Sequence, residues 1–74
     1  MKKEIVRIRT ELIKLDQLLK FAGVAETGGM AKEMILEGEV FLNGEPCEIR
    51  GKKIYPGDQV TVGDIFYQVE KYES

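Results

Sequence analysis

The spacing of apolar positions changes along the chain, and each spacing predicts a different element. Isoleucine and valine lie among charged residues over 4–9, which is typical of a short strand rich in β-branched side chains. From residue 15 the apolar side chains recur at i, i+3, i+4 and i+7, the stripe of an amphipathic helix. The stripe consists of Leu15, Leu18, Leu19 and Ala22. A first helix is therefore predicted over 14–22, ending at Gly23.

A second helix is predicted after a short connection. Thr27 stands where an N-cap belongs, because its side chain can accept a hydrogen bond from the first turn. The apolar face that follows consists of Ala31, Met34 and Ile35. Gly38 ends this segment, so we expect a helix over 28–37. The connection 23–27 is so short that the two helices must pack directly on each other at an angle.

Beyond Gly38 the pattern becomes that of short strands joined by tight turns. Residues 40–42 run into Asn43-Gly44, a strong hairpin signal, and Pro46 ends the returning strand. The other predicted elements are a turn at Tyr55-Pro56-Gly57-Asp58, a strand with Val60 and Val62, a turn at Gly63-Asp64 and a closing strand over 65–69. The predicted fold class is α+β, with two packed, helix-turn-helix-like helices on a small, mostly antiparallel sheet.

Length and composition restrict the function. With 74 residues the chain forms one domain, over 1–74, and a core of this size has little room for an internal active site. The chain has no histidine and a single cysteine, so the common zinc sites and histidine-based triads are excluded, and we expect neither catalysis nor a metal or cofactor. The longest run without charged or polar side chains, 21–25, is far shorter than the roughly 20 residues that span a membrane. Charges over 4–9 also interrupt any signal peptide, so we expect a cytoplasmic protein.

Positive charge is clustered, although the net charge is −2. Residues 2–14 carry a balance of +3 and residues 50–53 another +3. The segments 16–48 and 58–74 are acidic, with balances of −5 and −3. The acidic total argues against indiscriminate attraction to polyanions, but the clustering predicts a local basic face.

Several motifs together resemble the alpha-L RNA-binding motif, also called the S4-like domain. The resemblance covers about residues 14–62. It is carried by Lys14-Leu15-Asp16, Leu18-Leu19, Gly23, Thr27, Ala31-Lys32, Ile35, Gly38, Leu42-Asn43-Gly44 and Pro56-Gly57-Asp58. The flanking strands and Thr27-Gly28-Gly29 are similar to stand-alone bacterial YaaA/YbcJ-like proteins. The resemblance implies a non-catalytic module that binds structured RNA, above all ribosomal RNA, in large-subunit assembly. We expect a monomer.

One departure from the family pattern needs a physical account. The family places basic residues after the capping threonine, whereas this chain has Gly28 and Gly29. Glycines in a first helical turn leave free backbone N–H groups open to an anion, and the helix dipole favours negative charge there. We hypothesise that Thr27, Gly28 and Gly29 seat one RNA phosphate, with Lys32 one turn further along. The alternative is that the two glycines only permit close packing.

Further RNA contacts are predicted at exposed cations and at the hairpin tip, because neutralisation of phosphate by Lys and Arg dominates nucleic-acid affinity. Each cation has the alternative of being only solvated, and Lys20 could pair with Asp16 at i, i+4. Asn43 first serves the turn and could also hydrogen-bond to a ribose or base. The complete candidate set is Lys14, Lys20, Thr27, Gly28, Gly29, Lys32, Asn43, Arg50, Lys52 and Lys53.

The six aromatic residues show no register that would place several on one exposed sheet face, so most are expected in the core or at its rim. Contacts to the shape and phosphates of folded RNA are favoured over single-strand stacking. A ubiquitin-like protein-interaction module remains the alternative function. Its sulfur-carrier chemistry would need a C-terminal Gly-Gly, and this sequence ends in Tyr72-Glu73-Ser74.

Overall fold

The computed structural model describes residues 2–72, and its α+β architecture confirms the predicted fold class. Two helices pack on a mostly antiparallel sheet. Both helices lie within one residue of their predicted bounds at each end. In chain order the elements are β1 (Lys2–Ile8), β2 (Ile13–Lys14), α1 (Leu15–Phe21), α2 (Gly28–Leu36), β3 (Val40–Leu42), β4 (Glu45–Pro46), β5 (Lys53–Ile54), β6 (Gln59–Val62) and β7 (Ile65–Lys71).

The main sheet has five strands in the order β1-β7-β6-β3-β4. Its strand pairs are antiparallel except β1 and β7, which run parallel from Lys2 opposite Ile65 to Ile8 opposite Lys71. β1 thus joins the first residues of the chain to the last strand. A second, two-stranded sheet pairs β2 with β5. The sequence pattern did not predict this small sheet.

Both helices begin and end where the local chemistry requires. The hydroxyl oxygen of Thr27 accepts a hydrogen bond from the backbone N–H of Met30 at 3.1 Å, which confirms the predicted N-cap of α2. Gly23 and Gly38 follow α1 and α2 with φ of 79° each, the left-handed conformation in which helices commonly terminate. The two helices are therefore delimited by residues that the sequence had singled out.

The predicted tight turns are also confirmed. Asn43 and Gly44, with φ of 51° and 87°, form the two-residue connection between β3 and β4. The side-chain oxygen of Asn43 accepts a hydrogen bond from the N–H of Gln59 at 2.9 Å, and its amide donates to Asp58 at 3.2 Å. These bonds tie the hairpin to the start of β6. Pro46 is the last residue of β4.

One face of the main sheet packs against both helices and forms the core. The predicted stripe of α1 is buried at its three leucines, and α2 buries two residues of its predicted face. Ile54 of β5 is fully buried, so the short second sheet is anchored in the same core. The buried residues are Val6, Ile8, Leu15, Leu18, Leu19, Ala25, Ala31, Ile35, Val40, Ile54, Val60, Tyr67 and Val69.

The opposite face of the sheet carries aromatic side chains, which corrects a sequence-based expectation. Phe41 and Phe66 both lie opposite Thr61, so they share one row on the face that points away from the core. The expectation that most aromatics belong to the core or its rim is wrong, because four of the six are exposed. These four are Phe21, Phe41, Tyr55 and Tyr72. Strand alternation explains Phe41, which stands between the inward-facing Val40 and Leu42.

Candidate nucleic-acid interface

The basic segment 50–53 is attached to the N-terminal end of α1. The backbone N–H of Leu15 donates to the carbonyl of Lys52 at 2.9 Å, and that of Asp16 donates to the carbonyl of Arg50 at 3.1 Å. These carbonyls satisfy N–H groups of the first turn, where the N-cap residue Lys14 makes no side-chain cap. The basic side chains of the segment remain exposed.

Pairing of β2 with β5 brings a fourth cation to the same place. Lys14 lies directly opposite Lys53 in the antiparallel register. Paired residues point to the same face of a sheet, so their two positive charges lie side by side. We call Lys14, Arg50, Lys52 and Lys53 the basic cluster. Folding thus brings Lys14 next to a segment that follows 36 or more positions later in the chain. Together they form the local basic face that the charge pattern predicted.

Arg50 is held in place by an acid of α1. Its Nε and Nη2 atoms lie 3.2 and 3.1 Å from Oδ2 of Asp16, whose side chain is largely buried. The suggested pairing of Asp16 with Lys20 is therefore wrong: among residues 2–72, Asp16 pairs with an arginine that follows 34 positions later. A guanidinium can donate to one carboxylate oxygen from two different nitrogen atoms, whereas a lysine has a single nitrogen. Lys20 remains exposed in the last turn of α1.

Acidic residues border part of the basic cluster. Lys52 lines a shallow groove together with Glu45 and Glu48. With Asp16 neutralising Arg50, the net positive charge of the cluster rests on its three lysines. The arrangement can attract phosphate groups, but the neighbouring carboxylates limit the strength of that attraction.

The N-terminal end of α2 is the place where the sequence predicts an anion seat. The Thr27 hydroxyl is used by Met30, and the Thr27 carbonyl accepts from the N–H of Ala31 at 3.1 Å. Within the described part of the chain, the N–H groups of Gly28 and Gly29 have no protein acceptor. The first turn of α2 contains no acidic residue, so nothing within the turn cancels the positive end of the helix dipole.

Neither glycine of this turn is required by packing within the described chain. A Cβ atom at Gly28 would meet nothing within 4 Å, and one at Gly29 would meet only the Thr27 hydroxyl at 3.8 Å. Neither residue has a positive φ. The close-packing alternative therefore finds no contact to support it. Lys32 follows at i+4 and i+3 from the two glycines, so it lies on the same face of α2 and is exposed.

The candidate residues fall into two groups at opposite ends of α1. The basic cluster lies at its N-terminal end, whereas Thr27, Gly28, Gly29 and Lys32 follow its C-terminal end across a short connection. Seven helical residues separate the two ends by about 10 Å. Lys20 lies in the last turn of α1, seven positions before Thr27 in the chain. Asn43 belongs to neither group, and its side chain is hydrogen-bonded within the protein.

The sequence motifs did not indicate one groove on the surface of the protein. A groove beside α1 is bordered by Arg7, Arg9 and Phe21, none of which the sequence motifs indicated. The alternation of side chains along a strand would have placed Arg7 and Arg9 on one side, although Arg9 follows the last residue of β1. The groove itself depends on how the strand meets α1.

Among residues 2–72, no helix is long and apolar enough to cross a membrane, and no three potential metal ligands cluster. Burial raises the pKa of Tyr67, in the core, and Glu4 adds to this shift.

Two relatives found by sequence comparison have names that refer to the ribosome. A probable ribosome maturation protein, RlbA of Bacillus subtilis, is 49% identical over 57 residues, which cover 77% of this chain and 80% of that protein. The small ribosomal subunit protein uS4 of Sphingopyxis alaskensis is 32% identical over 50 residues, which cover 68% of this chain. The match spans only 25% of the length of that ribosomal protein.

A solved structure and a family model also match this chain. Heat Shock Protein 15 of Vibrio cholerae, described as trimeric, superposes with a TM-score of 0.64 and 29% sequence identity. The superposition covers 76% of this chain and 58% of that one. The model of the S4 domain matches residues 6–70, which extends beyond the motifs at 14–62 to include the last three residues of β1 and all of β7 except Lys71. The chain belongs to the S4 domain family, the RNA-binding module that its sequence motifs resemble.

Proposed function

We propose that this protein binds structured ribosomal RNA without catalysis and acts as a small factor in maturation of the large ribosomal subunit. Membership of the S4 domain family supports RNA binding. The relative from Bacillus subtilis is named as a probable ribosome maturation protein, and another relative is a ribosomal protein, which supports a ribosomal partner. Assignment to the large subunit follows the resemblance to the YaaA/YbcJ-like proteins. A ribosomal partner implies a cytoplasmic protein.

The observation that carries the proposal is the assembly of the basic cluster on an acidic protein. Lys14 and Lys53 stand opposite each other, and the backbone of Arg50 and Lys52 is fixed to the start of α1. Like charges that are brought together on a surface are unfavourable for folding. A bound polyanion would offset this repulsion, so the cluster favours a polyanionic partner. Phosphate groups of RNA are such a partner.

The end of α2 adds a second contact in this proposal. A phosphate would accept hydrogen bonds from the free N–H groups of Gly28 and Gly29, while Lys32 pairs with its charge. Thr27 holds the turn in shape through its bond to Met30. Lys20, which is exposed in the last turn of α1, contacts a further phosphate in this proposal. Asn43 has one amide hydrogen left for an RNA group, because the other donates to Asp58.

A rigid module with two separated phosphate contacts can recognise the shape of folded RNA. α1 and the connection to α2 separate these two contacts along the chain. Binding free energy alone would then favour one RNA conformation, without any reaction or cofactor. Few contacts and nearby carboxylates predict modest affinity that falls as salt concentration rises. A monomer of 8.4 kDa is the expected state, which light scattering on the purified protein would test.

The test begins with crosslinking of the protein to RNA in cells, which identifies the bound segment. That segment is then used in titrations at several salt concentrations with the double variant Lys52→Gln/Lys53→Gln. We expect weaker binding and a shallower salt dependence, because two phosphate contacts are lost. The matched control is Lys2→Gln/Lys71→Gln, which removes the same charge from exposed residues of β1 and β7.

Two results would contradict the proposal. Equal effects of the two double variants would mean that only the net charge matters. Crosslinks confined to protein would favour the alternative of a ubiquitin-like protein-interaction module. No contact or relative described above supports that alternative, whereas the family assignment and the basic cluster both support RNA.

A further inference from the structure

A groove of about 460 Å³ opens between the end of β1, the loop that follows it, β2 and α1. Phe21, the last residue of α1, borders it and is 62% exposed. The ring of Phe21 is therefore accessible from solvent at the edge of the groove. The groove has a volume typical of small-molecule sites. The aliphatic residues that complete its apolar surface are Ile8, Leu12 and Ile13.

Three cationic side chains border the same groove, namely Arg7, Arg9 and Lys14. The guanidinium of Arg9 lies 4.5 Å from the ring centroid of Tyr72, and this cation–π contact helps to orient it. Arg7 reaches Glu70 only at 3.9 Å, and both side chains are well exposed, so this pair holds Arg7 weakly. None of the described residues that border the groove is acidic.

We propose that this groove binds one unpaired nucleotide of RNA, with its base against Phe21 and its phosphate near Arg9 and Lys14. The inference rests on the proposed RNA-binding function and deepens it, because it adds recognition of a base to recognition of phosphates. Unpaired bases of RNA stack on aromatic side chains and form hydrogen bonds along their edges. The side-chain amide of Gln17, which also borders the groove, can supply such bonds.

The position of Lys14 favours RNA over an acidic peptide as the occupant. Lys14 belongs both to the basic cluster and to the groove, so the two positively charged regions are continuous. A strand with a negative charge at every residue can follow this surface and insert a base where the apolar groove opens. A peptide would need its acids and its apolar side chain in one particular order. A base attached to a phosphate strand carries both features in each nucleotide.

The test compares two probes of equal charge on the 74-residue chain. One probe is hexaadenylate RNA, and the other is a hexamer of the same backbone with abasic riboses. Chemical-shift titrations at low salt measure both affinities. We expect the base-bearing probe to bind at least about fivefold more tightly, the lower end of what stacking of one base on an aromatic ring contributes. Phe21→Ala should bring its affinity down to that of the abasic probe.

Phe41→Ala is the matched control, because it removes an exposed ring from the open face of the sheet. It should leave the preference for the base-bearing probe unchanged. Circular dichroism checks folding, and Phe21→Leu keeps an apolar side chain of similar size while removing the ring. If Phe21→Leu retains the full preference, or if Phe41→Ala removes it, the inference is overturned.

The same titrations separate failure of this inference from failure of the proposed function. Equal binding of both probes, weakened by Lys52→Gln/Lys53→Gln, would overturn the nucleotide groove while the basic cluster keeps its role. An acidic peptide that displaces the RNA from Phe21 and binds more tightly would also overturn it. Absence of binding to either probe and to ribosomal RNA would overturn both proposals.

Discussion

Lys14 and Lys53 lie directly opposite each other in the two-stranded sheet of β2 and β5. Opposed like charges destabilise a strand pair. We expect Lys53→Gln to raise the free energy of unfolding by roughly a few tenths of a kcal/mol, since the repulsion disappears. The same change should weaken RNA binding, because one phosphate contact is lost. Urea unfolding and RNA titration of the one variant measure both effects.

Lys71→Gln is the control for this prediction, because Lys71 lies opposite Ile8 and faces no cation across the strand pair. It should change neither quantity by as much. A Lys53→Gln protein that is less stable, with unchanged RNA affinity, would show that Lys53 serves the fold and not a partner.

The glycines of α2 give a second case in which stability and binding move in opposite directions. The space beside Gly28 and Gly29 is open to a methyl group, and neither φ is positive. Gly28→Ala/Gly29→Ala should therefore stabilise the protein, by at most about 1 kcal/mol for each glycine. The added methyl groups should hinder a phosphate at the free N–H groups and weaken RNA binding.

Thermal unfolding of this double variant measures the change in stability, and RNA titration measures the change in affinity. Unchanged RNA affinity in the α2 variant, with stability raised, would remove the anion seat from the interface and leave the basic cluster.

Tyr67 predicts a pH dependence of stability. Burial, assisted by Glu4, raises the pKa of its hydroxyl above the ordinary value of 10.0. The unfolded chain therefore loses this proton at lower pH than the folded protein, so the free energy of unfolding falls as pH rises above about 10. Below that pH the hydroxyl is protonated in both states and contributes no slope.

Tyr67→Phe removes the titrating group and keeps the ring, and Tyr67 has no side-chain hydrogen bond among the described residues. Urea unfolding from pH 8 to 11 should show a smaller decline for Tyr67→Phe than for the natural protein. Tyr55→Phe, at an exposed position, should decline as the natural protein does. Parallel curves for all three proteins would refute the prediction.

Local patterns were enough to predict the helices and turns, because their determinants lie within a few residues. The leucine stripe of α1, the Thr27 cap and the Asn43-Gly44 turn all have the predicted structure. The sheet of β2 and β5 was missed because two-residue strands have no measurable periodicity. Their pairing depends on burial of Ile54, a tertiary contact.

The candidate site was less predictable than the fold for the same reason. The residue types of the basic cluster were identified from charge alone, but Arg50 meets Asp16 only after the chain has returned across 34 positions. A helical i, i+4 spacing suggested Lys20 as the partner, since sequence reasoning favours local pairs. The row of Phe41 and Phe66 likewise depends on tertiary structure, because each lies opposite Thr61 of β6. β3 and β6 are not joined by a tight turn, so local sequence does not fix their register.

The pair of Asp16 and Arg50 supplies the last prediction. Asp16→Asn should free the positive charge of Arg50 for RNA, so that affinity rises and log K depends more steeply on log salt, by up to about 0.7–0.9 for one additional phosphate. Stability should fall, since Nε and Nη2 of Arg50 lose their carboxylate. Asp64→Asn, in the exposed turn before β7, changes the net charge equally and should leave the salt dependence unaltered. If Asp16→Asn weakens RNA binding instead, Arg50 acts by holding the segment 50–53 in place, and its position matters more than its free charge.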